Sequence, residues 1–284
     1  MRFRCCAFTV MAPDLTPEAC AQTLASLGFD GVEWRVTAPS PPDAATNYWT
    51  GNLCTIDINR LDEEASRVRL VCGQHGLQIP ALGTYVSAAD RATVRRCMAF
   101  AADVGCPQIR VGVPPYDGTR SYNQLYEEAV EHLDEVAALA KEYGVRANVE
   151  LHMGSICPSA SMAHRLLARF DPQYVGAIYD PGNMVAEGME AWQMGMELLG
   201  PYLAHVHVKN SRWEVASRDG SVVRWRHAMC PLREGVVDWP QVLVALRRVG
   251  YTGWLSFEDF GPGGTVQKLG EDLAYMRSIE SAGG

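Results

Sequence analysis

Long apolar runs are missing from this sequence: its 284 residues nowhere hold the roughly 18 consecutive apolar positions that a membrane-spanning helix needs. The short apolar stretch at 5–12, behind Arg2 and Arg4, has no convincing cleavage site and reads as a first strand rather than a leader. C-x-x-C pairs are missing too. The nine cysteines are odd in number and scattered, which suits neither a zinc knuckle nor a disulfide framework, so reduced thiols in the cytoplasm are expected. Positive charge is scarce. Lys and Arg number 25 against 33 Asp and Glu, a net charge of -8 that is the wrong sign for holding nucleic acid or an anionic membrane. Small molecules are the expected partners. Neither a glycine-rich phosphate turn after the first strand nor a Walker-type motif is present, which argues against a doubly wound nucleotide-binding sheet.

What is there is a regular alternation. Hydrophobic residues at 48% and charged residues at 20% are ordinary for a chain that buries a large core. Short apolar runs at 3–10, 31–36, 79–84, 108–113, 146–151, 175–179, 203–208 and 253–258 read as eight strands. Helical patterns separate them, at 61–75, 89–104, 122–143, 161–170, 189–199, 240–249 and 265–280. A further helix starts with Thr16 and Pro17 and stops at Gly28. In the helix at 122–143, Ser121 and Gln124 have the spacing of a capping box, and Gly144 ends the apolar stripe. Strict alternation of eight strands and eight helices predicts an α/β fold of the (β/α)8 TIM-barrel type, a single domain over 1–284. Two connections, 39–60 after the second strand and 211–234 after the seventh, are too long for plain turns. They are expected to wall a pocket at the C-terminal face of the barrel, with contacts in a dimer as the alternative.

Side-chain parity then sorts the polar residues, because outward positions on a barrel strand pack under helices and inward ones near the C-terminal end reach the mouth. Val149 and Leu151 claim the helix side, leaving Glu150 and His152 inward. Val206 and Val208 do the same for His205, His207 and Lys209, and Leu255 and Phe257 for Glu258. Asp180 stands where Pro181 and Gly182 stop the sixth strand. The last four strands therefore each end in a candidate metal ligand: Glu150, Asp180, His207 and Glu258. Three carboxylates and one imidazole form a hard, oxygen-rich set that predicts one divalent ion, Mn²⁺ first, with Mg²⁺, Co²⁺ or Zn²⁺ as substitutes. Glu33 is inward against Val32 and Trp34, and substrate contact is slightly favoured over an ion pair with Arg35 or another cation of the inner rim. Met184, Met189, Met194 and Met196 are expected to pack in the core. Gly261 to Gly264 follow the last strand, where barrels sometimes hold phosphate, although a flexible exit is the commoner use.

The stretches around Glu150-Leu151-His152, Asp180-Pro181-Gly182-Asn183, His205-Val206-His207-Val208-Lys209-Asn210, Glu234-Gly235-Val236-Val237-Asp238-Trp239 and Glu258-Asp259 resemble the xylose-isomerase-like barrel superfamily of sugar isomerases and epimerases. In its ketose 3-epimerases the positions matching Glu150, Asp180, His207 and Glu258 bind one divalent metal, and the two glutamates also serve as acid and base. The resemblance implies the same roles here. It also implies a homo-oligomer, a dimer or a tetramer. The chain departs from the 3-epimerase pattern at Asn183, where a substrate-binding His is usual, and at Trp213, where an Arg is usual and Arg212 stands alongside.

The chemistry this predicts is removal of a proton α to a carbonyl, with a metal stabilising the enediolate and Glu150 and Glu258 trading proton-transfer roles. A sugar or keto-sugar isomerase or epimerase is the leading expectation. His152, Asn183, Lys209, Arg212 and Glu33 are the candidate substrate contacts. Expulsion of a β-leaving group from the same enediolate would make a lyase or dehydratase of a keto-sugar or dehydroshikimate-like substrate, a reading that His152 and the aromatic loops favour. A non-catalytic sugar-binding barrel is the third.

Overall fold

The structure, a computed structural model, describes residues 2–41 and 43–282. Its first half runs β1 (Arg4–Phe8), α1 (Pro17–Leu27), β2 (Gly31–Thr37), β3 (Thr55–Asp57), α2 (Leu61–His75), β4 (Leu82–Thr84), α3 (Arg91–Asp103), β5 (Gln108–Val111) and α4 (Tyr122–Tyr143). The second half continues with β6 (Arg146–Glu150), α5 (Ala160–Leu167), β7 (Val175–Tyr179), α6 (Pro181–Ala186), α7 (Trp192–Leu199), β8 (Leu203–Val208), β9 (Ser211–Asp219), β10 (Val222–Met229), α8 (Trp239–Arg248), β11 (Trp254–Phe257) and α9 (Thr265–Ala282). Eight strands pair in parallel in the order β1-β2-β4-β5-β6-β7-β8-β11, and β11 returns to β1, so the sheet closes on itself as a TIM barrel. Strand β3 pairs only with β2, outside the ring.

Local chemistry explains the boundaries. Thr16 caps α1 by accepting from the Ala19 N–H at 3.3 Å, Pro17 opens the helix, and Gly28 at φ 90° closes it. The outward residues Val32, Trp34, Val36, Val149, Val206, Val208, Leu255 and Phe257 are all buried under the helices, the placement their parity predicts. The ring strands lie inside the expected runs except that β2 reaches Thr37, because pairing stops where each chain turns outward into its loop.

Several expectations are corrected. Ser121 precedes α4 but its side chain makes no capping hydrogen bond, so the capping box does not form. The long connection expected at 211–234 contains an antiparallel hairpin, β9 with β10, that was not expected. Its signal was present in Asp219-Gly220, with Gly220 at φ 57°, but the charged residues Arg212, Glu214, Arg218, Arg224 and Arg226 blurred the strand pattern. The loop at 39–60 carries β3, and Pro42 within it lies outside the described residues. Met184 and Met196 are core residues, whereas Met189 and Met194 are exposed.

Candidate metal centre

The mouth of the barrel is assembled from strand ends. Asp180 does two things there: its Oδ1 accepts from the Asn183 N–H at 2.9 Å, capping α6, and its Oδ2 faces the barrel axis. The following Gly182 is required by close packing, since a Cβ would sit 2.4 Å from Lys209 Cγ and 3.1 Å from the Lys209 backbone. Opposite, His207 turns Nδ1 toward three carboxylates: Glu150 Oε1 at 3.2 Å, Glu258 Oε2 at 3.5 Å and Asp180 Oδ2 at 3.6 Å. One donor atom from each of Glu150, Asp180, His207 and Glu258 lies within 4.8 Å of all the others, and all four residues are buried.

Behind the imidazole, Nε2 of His207 meets Glu33 Oε1 at 3.4 Å, and Glu33 Oε2 receives His205 Nε2 at 2.8 Å. This carboxylate–histidine pair orients Nδ1 toward the mouth and leaves it as the ligating nitrogen. The network continues downward, with His205 Nδ1 at 3.5 Å from Gln108 Nε2, and Asn148 Nδ2 donating to Gln108 Oε1 at 2.7 Å. The upper barrel interior is therefore polar, and Phe8 stacks on His207 at 5.6 Å as its apolar neighbour.

Electrostatics balance this acidic ring. The Lys209 ammonium sits 2.6 Å from Glu258 Oε2 and 2.9 Å from Asp180 Oδ2 and donates to Asn183 Oδ1 at 3.0 Å. Arg110 reaches Glu150 Oε2 at 2.8 Å. Burial alone would raise the Glu150 carboxyl, but Arg110 and then His207 outweigh it and hold it well below the usual range. Glu258 is lowered in the same way, with Lys209 and His207 overcoming burial. For His207 burial opposes the charge, yet Glu33 and the hydrogen bonds to Asp180, Glu150 and Glu258 push the imidazole well above its ordinary value. Lys209 is raised too, as Asp180 and Glu258 offset its desolvation. A buried ring of carboxylates thus faces an imidazole and an ammonium, and its one imidazole and three carboxylates are the donor set a hard divalent ion takes. The residues fit such an ion.

The other sequence candidates fall in different places. Asn183 is in the ring, donating Nδ2 to Asp180 Oδ2 at 3.0 Å and to Glu150 Oε1 at 3.2 Å. His152 stands on the rim, half-buried, with Nδ1 at 2.6 Å from Met153 O, and lines a cavity of ≈ 280 Å³ with Arg110 and Glu150. Glu33 is fully buried under His207, and its two carboxylate oxygens face His205 and His207. Arg212 is drawn to the hairpin surface by Glu214 and Glu234, its side chain 40% exposed, and does not join the ring. Gly261 turns its N–H to Asp259 and its carbonyl to Lys268. Arg110 and Tyr85 were missed. Arg110 was legible, since Ile109 and Val111 are outward and leave it inward; Tyr85 lies beyond its strand, where parity carries no information. The Arg110 guanidinium lies 4.7 Å from the Tyr85 ring, whose buried hydroxyl has no hydrogen-bond partner among the described residues.

Comparison with known proteins gives the family and the fold. The profile of the xylose isomerase-like TIM barrel family matches residues 21–279. An inosose dehydratase of Geobacillus thermodenitrificans (strain NG80-2) is 29% identical over 143 residues, 45% of this chain and 45% of that protein, so the chain matches about half the length of this curated relative. Among solved structures, the IOLI protein with a bound zinc atom superposes with a TM-score of 0.75 at 15% identity, covering 99% of both chains. The 3-keto-D-glucoside 4-epimerase YcjR from E. coli superposes with a TM-score of 0.72 at 17% identity, covering 98% of this chain and all of that one. At such identities these two likenesses speak for the fold.

Proposed function

Because the chain belongs to the xylose isomerase-like TIM barrel family, we propose that it is a divalent-metal-dependent enzyme that abstracts the α-proton of a keto-sugar or keto-polyol, in a homo-oligomer of the cytoplasm. The observation that carries this reading is the buried ring of Glu150, Asp180, His207 and Glu258, with donor atoms within 4.8 Å of one another. A divalent ion there, Mn²⁺ by the hardness of the set, would polarise a substrate carbonyl and neutralise the oxygen charge that develops as the α-proton leaves. The nine cysteines are all buried and unpaired, in keeping with a reducing compartment.

The two glutamates are not equivalent. Glu150 is held at once by Arg110, His207 and Asn183, a clamp that keeps it ionised and suits a ligand better than an acid. Glu258 meets Lys209 and His207 and is the better group to accept the α-proton. Epimerisation needs both glutamates to cycle a proton. Elimination of a β-hydroxyl needs one base and one acid for the departing water, and His152 stands beside Glu150 as that acid. The asymmetry favours a dehydratase, as does the kinship with inosose dehydratases. Isomerisation or epimerisation is the second reading, supported by the presence of two glutamates, Glu150 and Glu258, that both reach Nδ1 of His207 at 3.2 and 3.5 Å.

Incubation with a keto-inositol or a free ketohexose in D₂O, with Mn²⁺ and with chelator, tests the reading by NMR. Metal-dependent exchange of the α-proton is expected, with loss of water marking the dehydratase and exchange without it the epimerase. A barrel that binds these compounds but exchanges no proton with any divalent ion would sink the proposal. Glu258→Gln should lower turnover at saturating Mn²⁺ by at least about 10²-fold with the circular dichroism unchanged; a near-normal rate would remove Glu258 from its role.

A further inference from the structure

One ring beyond the ligand cluster lies an aromatic surface for which proton abstraction has no use. Phe260 follows β11 and its ring centroid is 5.2 Å from Lys209 Nζ, so it borders the site directly. Trp49 packs against Phe260, centroids 4.9 Å apart, and is still 51% exposed. Tyr48 meets the same ring at 5.0 Å.

The loop that presents Trp49 is pinned in place. Arg35, only 6% exposed, donates Nη2 to Trp49 O at 2.9 Å and Nη1 to Thr55 Oγ1. Asn47 Oδ1 accepts the Trp49 N–H at 2.8 Å, and Asn52 donates at 3.1 Å both to Tyr48 O and to Val10 O next to the first strand. Lys268 Nζ ties the Tyr48 hydroxyl at 2.7 Å to the same turn that carries Asp259 O, at 2.8 Å. Ordering a loop costs roughly 1–2 kcal/mol of backbone entropy per residue, and here the ordered product leaves half of a large indole in water. Such a rigid aromatic face, adjoining a site and already ordered, binds a flat partner without a further ordering cost.

We infer that the substrate has two rings: the reacting keto ring at the ligand cluster, and a second ring with a flat apolar face, glycosyl or aryl, stacked on Trp49. This rests on the keto-sugar reading of the metal centre and adds the class of substituent, a glycoside rather than a free monosaccharide. Lys209 and Trp49 each meet the Phe260 ring, at 5.2 and 4.9 Å from its centroid, so a ligand that reaches the cluster and also covers Trp49 spans Phe260 and extends past a single ring. The exposed Trp225, on the hairpin, makes no ring contact with this surface among the described residues and serves as a control.

Calorimetric titration of the Mn²⁺-loaded protein with methyl β-D-glucopyranoside, 4-nitrophenyl β-D-glucopyranoside and cellobiose tests this. At least one of the two-ring probes should bind about tenfold tighter than the methyl glucoside. If only the nitrophenyl compound gains, the second ring is aryl; if cellobiose gains, it is glycosyl. Trp49→Ala should remove the gain and leave methyl glucoside affinity unchanged, Trp49→Phe should keep most of it, and Trp225→Ala should change nothing. Equal affinities for all three probes, no binding of any, or a gain that survives Trp49→Ala would overturn the inference. Binding is read without turnover, so a protein that shows the gain but exchanges no α-proton refutes the enolising reading alone, and one that exchanges without the gain refutes the two-ring substrate alone.

Discussion

A carboxylate behind an imidazole decides which ring nitrogen faces outward and how basic it is, and Glu33 holds that position for His207. Glu33→Gln keeps the shape and removes the charge, so Mn²⁺ affinity should fall by about 10- to 100-fold. Titration with Mn²⁺ measures this, and an unchanged affinity would show that His207 is oriented by its other contacts. At this scale the sequence was legible wherever parity applied. Glu150, His207 and Glu258 are inward because their neighbours Val149, Val206, Val208 and Phe257 must be buried. Parity says only which way a side chain faces, however, and not what it meets. Glu33 and Arg110 face inward alike, yet one is enclosed by histidines and the other reaches a cavity.

At the scale of elements, punctuation carried most of the information. Helices α2 and α4 and strands β7 and β8 have the bounds their patterns indicate, because each is bracketed by a clear start or stop residue. Gly144 ends α4 at φ 67° with open space where a Cβ would go, so Gly144→Ala meets no clash and pays only for the left-handed backbone. A loss of about 1 kcal/mol in stability is expected from urea unfolding; no loss would mean that α4 ends differently in solution. The hairpin of β9 and β10 was hidden for the opposite reason. It is mostly exposed, so neither of its faces carries the clean apolar alternation that marks a strand packed on a core.

For the whole molecule, closure of the ring brings together residues that are remote in the chain. Asp259, beside β11, and Asp272, in α9, form a buried pair of carboxyls in which Asp272 is pushed up to about 8, first by burial and then by the charge of Asp259. Between the ordinary Asp value of about 3.9 and that raised one, the folded protein holds a proton that the unfolded chain has released. Stability should therefore fall as pH rises through this window. Thermal unfolding from pH 5 to pH 8.5 should show the decline in the parent protein and a flatter profile in Asp272→Asn; parallel profiles would mean that the pair does not titrate as a unit.

The order of the eight ring strands, the inward face of each and the identity of the four candidate ligands were legible in the sequence alone, because periodicity and punctuation are local properties of the chain. The clamp of Arg110 on Glu150, the seat of Glu33 under His207 and the ledge of Trp49 were decided only by tertiary structure. Each depends on a distance between separate strands or loops, and that distance exists only once the barrel has closed.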